Sequence, residues 1–152
     1  MTIHCPYCHR PGELVSGSAI YPSRIDLFAL WFWRCEPCGA YVGCHKKGAW
    51  FYEGAKKIVS DGTAPLGRMA NASLRRLKQE AHAAFDPLWR SGDMTRAQAY
   101  SWLAQHLGVS DNNCHIGMMD EDGCRAVVHI LRSARPGGTV EKSTLISRQM
   151  RE

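Results

Sequence analysis

Cys5-Pro-Tyr-Cys8 and Cys35-Glu-Pro-Cys38 decide how the first third of this chain folds. Each is a C-x-x-C knuckle, in which two intervening residues let the backbone turn so that both sulfurs face one ion. Two such knuckles supply the four thiolates of a tetrahedral zinc site. Pro6 and Pro37 stiffen the turns. Two other readings of the cysteines fit less well. A thioredoxin-like redox motif precedes a helix within a βαβ pattern, and neither pair does so here. A disulfide framework implies export, yet no signal peptide precedes Cys5 and the seven cysteines are odd in number. The sequence therefore predicts one structural Zn2+ on Cys5, Cys8, Cys35 and Cys38.

Working outward, the span between the knuckles reads as a hairpin. Glu13-Leu14-Val15 and Ala19-Ile20-Tyr21 lead out, Pro22-Ser23 turns, and Leu27 to Arg34 returns to the second knuckle. Ala40-Tyr41-Val42-Gly43 adds a third strand. The run Leu27-Phe28-Ala29-Leu30-Trp31-Phe32-Trp33 is continuously apolar rather than alternating, which calls for burial on both faces. Its first half also fits a helical turn, because periodicity does not settle so short a run. Trp31 and Trp33 read either as core or as an exposed platform for stacking bases. The segment from Ala49 to Gly67 reads as irregular. It is basic around Lys46, Lys47, Lys56 and Lys57, with Trp50, Phe51 and Tyr52 between the lysines. That mixture suits either a nucleic-acid surface or a solvated loop with anchoring aromatics.

Helical spacing follows. Asn71 or Ser73 caps a helix to about Phe85, with Leu74, Leu77, Ala81, Ala84 and Phe85 on one face. Asp86-Pro87 ends or restarts it. A second helix runs from Thr95, with Gln98 completing a capping box, to Leu107, and Gly108 stops it. A third covers about Asp120 to Arg132, turning Cys124, Val127, Val128 and Leu131 inward, with Asp120, Glu121 and Asp122 at the positive end of its dipole. The predicted class is α+β: an N-terminal three-stranded zinc ribbon packed against a C-terminal three-helix segment. The expected divisions are a ribbon over 1–48, a basic aromatic loop over 49–67, a helical segment sharing the ribbon's core over 68–132, and a mobile tail over 133–152 with a short helix near Leu145.

The 152 residues suit one domain, or a ribbon fused to a small helical domain. A hydrophobic content of 45% is ordinary, and no apolar run reaches the roughly 18 residues of a membrane span. Reduced thiols able to hold zinc fit a cytoplasmic setting. A net charge of +5 permits a polyanionic partner without establishing one. No P-loop, G-x-S-x-G, H-E-x-x-H or dinucleotide fingerprint occurs, so no organic cofactor is expected.

Several segments together carry a resemblance. They are the two knuckles, Gly39 to His45 after the second, Pro65-Leu66-Gly67, Ala81-His82-Ala83-Ala84-Phe85-Asp86-Pro87-Leu88-Trp89, Ala99-Tyr100-Ser101-Trp102-Leu103-Ala104, and Cys114-His115-Ile116-Gly117-Met118. In these, over about residues 3 to 132, the chain resembles the small zinc-finger-containing proteins of bacteriophages, prophages and bacteria, a family built on a domain of unknown function. The resemblance implies a zinc ribbon and a helical partner and brings no settled activity. Relative to that pattern, about Ala49 to Gly62 are extra residues.

A second constellation is open to two readings. His82 and Asp86 are four apart and share a helix face. If the flanking loops fold over that helix, His45, His82 and His115, backed by Asp86, form a three-histidine catalytic metal site and a second ion becomes possible. The alternative is that these residues brace loops and helix ends. Cys44 and Cys114 read as small buried residues. The leading functional expectation is a non-enzymatic protein binding nucleic acid or a nucleic-acid-handling protein, with Lys46, Lys47, Lys56, Lys57, Arg68, Arg75 and Arg76 as phosphate contacts. An inhibitor or adaptor of a host or phage protein, and a metal-dependent hydrolase or nuclease, are the rivals.

Overall fold

Trp31-Phe32-Trp33-Arg34-Cys35 is the central strand of an antiparallel sheet in the α+β chain, seen in a computed structural model that describes residues 1–134. The sheet has the order β1-β2-β3, with β1 at Glu13–Ser16, β2 at Trp31–Cys35 and β3 at Ala40–Gly43. A second antiparallel sheet pairs β4 (Trp50–Glu53) with β5 (Lys56–Val59). The chain divides into two compact units, Met1–Arg75 and the residues from Arg76 onward.

In the first unit, register explains why β2 is apolar on both faces from Trp31 to Trp33. Leu14, Trp33 and Val42 are paired neighbours on one face, and Val15, Phe32 and Gly43 on the other. On the first face Trp33 is buried with Met69, Cys5, Cys35 and Ala40, and its indole Nε1 donates to the Thr63 carbonyl at 2.8 Å. On the second, Phe32 packs edge-on against Tyr21 and Tyr41, whose hydroxyls lie 2.9 Å apart. Trp33 is therefore core. Trp31, at the end of β2, is 44% exposed.

Three expectations for this unit are corrected. Ala19-Ile20-Tyr21 is not a strand; β1 ends at Ser16 and α1 (Gly17–Ile20) reverses the chain. A methyl group at Gly17 would overlap the Leu27 carbonyl oxygen, so only glycine lets this turn tuck so closely against Leu27. The return strand begins at Trp31 rather than Leu27; a 3-10 turn covers Ile25–Leu27, and Phe28 to Leu30 lead from it into the strand. Finally, Ala49 to Gly67 is not simply irregular, because β4 and β5 form a hairpin about Gly54-Ala55. Gly54 has φ 62 at the first central position, as a primed hairpin turn requires. Two four-residue runs flanking a two-residue Gly-X loop were the available signal, masked by the lysines.

The helices follow the caps. α2 (Ala72–Phe85) starts where the Leu74 amide donates to Asn71 Oδ1 at 3.0 Å. Pro87 restarts the chain as the short α3 (Pro87–Arg90). α4 (Arg96–Leu107) has the predicted Thr95/Gln98 capping box and ends on Gly108 at φ 70. α5 (Glu121–Ser133) is capped by Asp120, which accepts from the Gly123 amide. Its buried residues are Cys124, Val127, Ile130 and Leu131. Ile130 thus takes the inward role expected of Val128, which is half-buried. The core of the second unit also includes Phe85, Leu103 and Ile116, with the Phe85 and Tyr100 rings 4.5 Å apart. No helix among the described residues is long and apolar enough to cross a membrane. Ser133 closes α5 and Ala134 is buried; the rest of the predicted tail, with the helix near Leu145, lies outside the described residues.

Candidate metal centre

Both knuckles close as tight turns, with different backbone hydrogen bonds. After Cys8, the His9 amide donates to the Cys5 carbonyl at 2.8 Å, and His9 adopts φ 65. After Cys38, Gly39 adopts φ 61 and its amide donates to the Glu36 carbonyl at 3.1 Å. A left-handed residue immediately after the second cysteine sets the tight turn in both. The Arg75 Nη1 atom braces the second knuckle, donating to the carbonyls of Gly39 (3.2 Å) and Ala70 (2.6 Å), while the guanidinium lies 4.0 Å from the Tyr41 ring centre.

These turns bring the sulfurs of Cys5, Cys8, Cys35 and Cys38 within 4.8 Å of one another. Cys8 Sγ and Cys35 Sγ are 3.6 Å apart, far beyond the roughly 2.05 Å of a disulfide. The spacing is close to the edge of a tetrahedron with zinc–sulfur bonds of about 2.3 Å, which is about 3.8 Å. The seven cysteines are all free thiols. Hydrogen bonding from the Arg10 backbone draws the Cys8 thiol down to about 7. Hydrogen bonding with Cys8, then burial, pushes Cys38 up to about 12. Four thiols this close resist losing all their protons unless a cation joins them, so the donor set suits a soft, thiophilic divalent ion. Cys5, Cys35 and Trp33 are buried around it.

The remaining predicted residues are divided between the two units. His45, in the first unit, stacks on Phe51 with ring centres 4.9 Å apart and planes at 14°. It lines a cavity with Trp31, Lys46, Lys47 and Asp61. In the second unit, His82 Nδ1 lies 3.2 Å from Asp86 Oδ1, and Asp86 Oδ2 lies 3.6 Å from Arg90 Nη2. His115 is exposed, its ring 6.0 Å from that of Tyr100. Among the described residues, neither unit contains a second group of three or more His, Cys, Asp or Glu side chains placed to share an ion. Burial pushes the thiols of Cys44 and Cys114 up to about 11; Cys114 is buried as expected, whereas Cys44 is half-buried.

Of the cationic candidates in the first unit, Lys46, Lys47, Lys56 and Lys57 are exposed, whereas Arg68 and Arg75 are half-buried. Arg76, in the second unit, is exposed. Sequence reasoning named the aromatics and lysines of this stretch but not the sheet face that arranges them. Trp50, Tyr52 and Val59 are 60%, 70% and 49% exposed, and Lys57 Nζ lies 4.6 Å from the Trp50 ring centre. Register places Trp50 opposite Val59 and Tyr52 opposite Lys57.

No curated protein and no solved structure is similar enough to match this chain. A family of zinc-finger-containing domains does match it, over residues 1–134, and these span both knuckles. With that match and the four-cysteine cluster together, the chain belongs to this family of zinc-finger-containing domains.

Proposed function

We propose that the first unit is a zinc ribbon, clamped by one Zn2+ on Cys5, Cys8, Cys35 and Cys38, that binds nucleic acid through its β4–β5 hairpin. The observation that carries this reading is the hairpin's outward face. Large aromatic side chains are usually withdrawn from water, yet Trp50 and Tyr52 are left in it beside Lys57. Lys46, Lys47 and Lys56 are exposed in the same stretch of chain. Cations neutralise phosphates with release of counterions, and flat rings stack on bases whatever their sequence. The opposite face of the hairpin is anchored: Phe51 stacks on His45, and buried Ser60 donates to the His45 carbonyl at 3.1 Å. The aromatic face is thus held by a fixed scaffold. In this reading Arg75 braces the knuckle, and the four lysines carry the phosphate contacts.

The test is oligonucleotide binding by zinc-loaded protein across a salt series. Affinity should fall linearly on a log–log plot. Changing Lys46, Lys47, Lys56 and Lys57 together to alanine should lower the slope by roughly 0.7–0.9 per phosphate contact removed. Absence of binding at low salt, or a slope that the quadruple variant leaves unchanged, refutes the reading. Metal analysis should find one zinc per chain.

A further inference from the structure

We infer that the cavity lined by Trp31, His45, Lys46, Lys47 and Asp61 receives one unpaired base of a single-stranded nucleic acid, with the flanking phosphates on the two lysines. The inference rests on the nucleic-acid reading above and narrows it to single strands and to one subsite.

The geometry comes from where the sheet ends. Trp33 and Trp31 project from the same face of β2, but the core that covers Trp33 does not cover Trp31, which is 44% exposed at the cavity wall. The Cys44 amide donates to the Trp31 carbonyl at 3.1 Å, so the chain leaving β3 passes along this residue and carries His45, Lys46 and Lys47 to the opening. The far side is Asp61-Gly62. Two hydrogen bonds from Thr63 to Asp61 Oδ1, at 2.9 Å and 2.7 Å, fix that carboxylate as an acceptor for a base edge. Gly62 lies close to Lys47, where a Cβ atom would stand 3.6 Å from the lysine Cβ.

Size and chemistry select the occupant. A cavity of about 240 Å³ is smaller than the roughly 300–1,000 Å³ pockets that enclose whole small-molecule ligands. It admits a planar ring and leaves the sugar and phosphate outside. An exposed indole supplies a stacking face, and two exposed lysines line the cavity. The His45–Phe51 stack joins the cavity wall to the inner face of the hairpin whose outer face carries Trp50 and Tyr52. One strand therefore has a base seat and further aromatic stacking positions in the same unit. A base in a duplex is already paired and stacked, and extruding it is unfavourable. Single strands bear no such penalty.

The experiment uses the full zinc-loaded chain with three labelled probes: a 12-nucleotide oligo(dT), the matching oligo(U), and a 12-base-pair DNA duplex. Fluorescence anisotropy at fixed salt should show at least one of the single strands bound roughly tenfold or more tighter than the duplex. Trp31→Ala should weaken single-strand binding about 5- to 150-fold, the range of one lost base–aromatic stack, with the salt slope unchanged and zinc retained. Trp31→Phe should restore most of it. A 4-thiothymidine strand, photocrosslinked to the unmodified protein and mapped by peptide sequencing, should mark the Trp31 or His45 peptide whether or not the alanine variant folds. Equal binding of duplex and single strand, an unaffected Trp31→Ala variant, or crosslinks confined to other segments overturns the base seat while leaving the broader reading intact. No binding of any probe overturns both.

Discussion

Replacing Cys35 with serine should unfold the first unit rather than merely weaken it. Cys35 is 4% exposed and contributes one of the four clustered sulfurs. The large side chains buried in this unit are Phe32, Trp33, Met69 and Leu74. At about 1.5–3 kcal/mol each for full burial, they contribute roughly 6–12 kcal/mol together. Fixing the backbone costs about 1–2 kcal/mol per residue, so ordering on the order of ten residues already offsets them. A structural zinc in a small finger contributes about 10–16 kcal/mol at neutral pH, comparable with or larger than the whole net stability of an ordinary domain, about 5–15 kcal/mol. Trp33 reports the outcome directly, since it packs in the same cluster as Cys5 and Cys35. Near-ultraviolet circular dichroism should lose the Trp33 contribution in Cys35→Ser, and equally in the wild-type chain under excess chelator and reductant. Zinc added back to the chelated protein should restore it. A chelated, reduced protein that keeps this signal and its melting temperature would refute the reasoning, because a loss of even 2 kcal/mol should lower the midpoint by about 8–16 °C in a unit of this size.

Other outcomes follow from single positions. Gly39 sits at φ 61 with open space around it, so Gly39→Ala should destabilise by roughly 1 kcal/mol through conformation alone, while His9→Gly, at φ 65, should be neutral or slightly stabilising in urea titrations. Ser60 is buried, donating to the His45 carbonyl and accepting from the Gly62 amide. Ser60→Ala strands both partners and should cost about 1–3 kcal/mol in the same assay. In the second unit, burial raises the Cys114 thiol from 9.0 to about 11 and also raises Cys124. The unfolded chain then loses these protons first, so stability should fall as pH rises above about 9, the Cys114 contribution levelling near 11. Changing both residues to alanine should flatten that fall relative to wild type, and an identical pH profile in the two proteins would contradict it.

The legible parts of the molecule are those written in local chemistry. C-x-x-C spacing brings together the two sulfurs of each knuckle, because a two-residue turn permits little else. Asn71, the Thr95/Gln98 box, Gly108 and Asp120 mark helix ends because backbone groups there need partners or a positive φ within a few residues. What the residues alone did not decide depends on contacts distant along the chain. Ala19-Ile20-Tyr21 has strand character, yet Gly17 packed against Leu27 bends it into a helical turn that sends Tyr21 to Tyr41. Trp31 and Trp33 are indistinguishable by type and parity. Only the Met69 cluster and the Thr63 carbonyl, supplied from thirty or so residues downstream, bury one and leave the other at a cavity wall. Sequence determined the two cysteine knuckles and the helix ends, since each is short-range; the tertiary structure determined which aromatic rings face water, because burial depends on what the rest of the chain brings against each face.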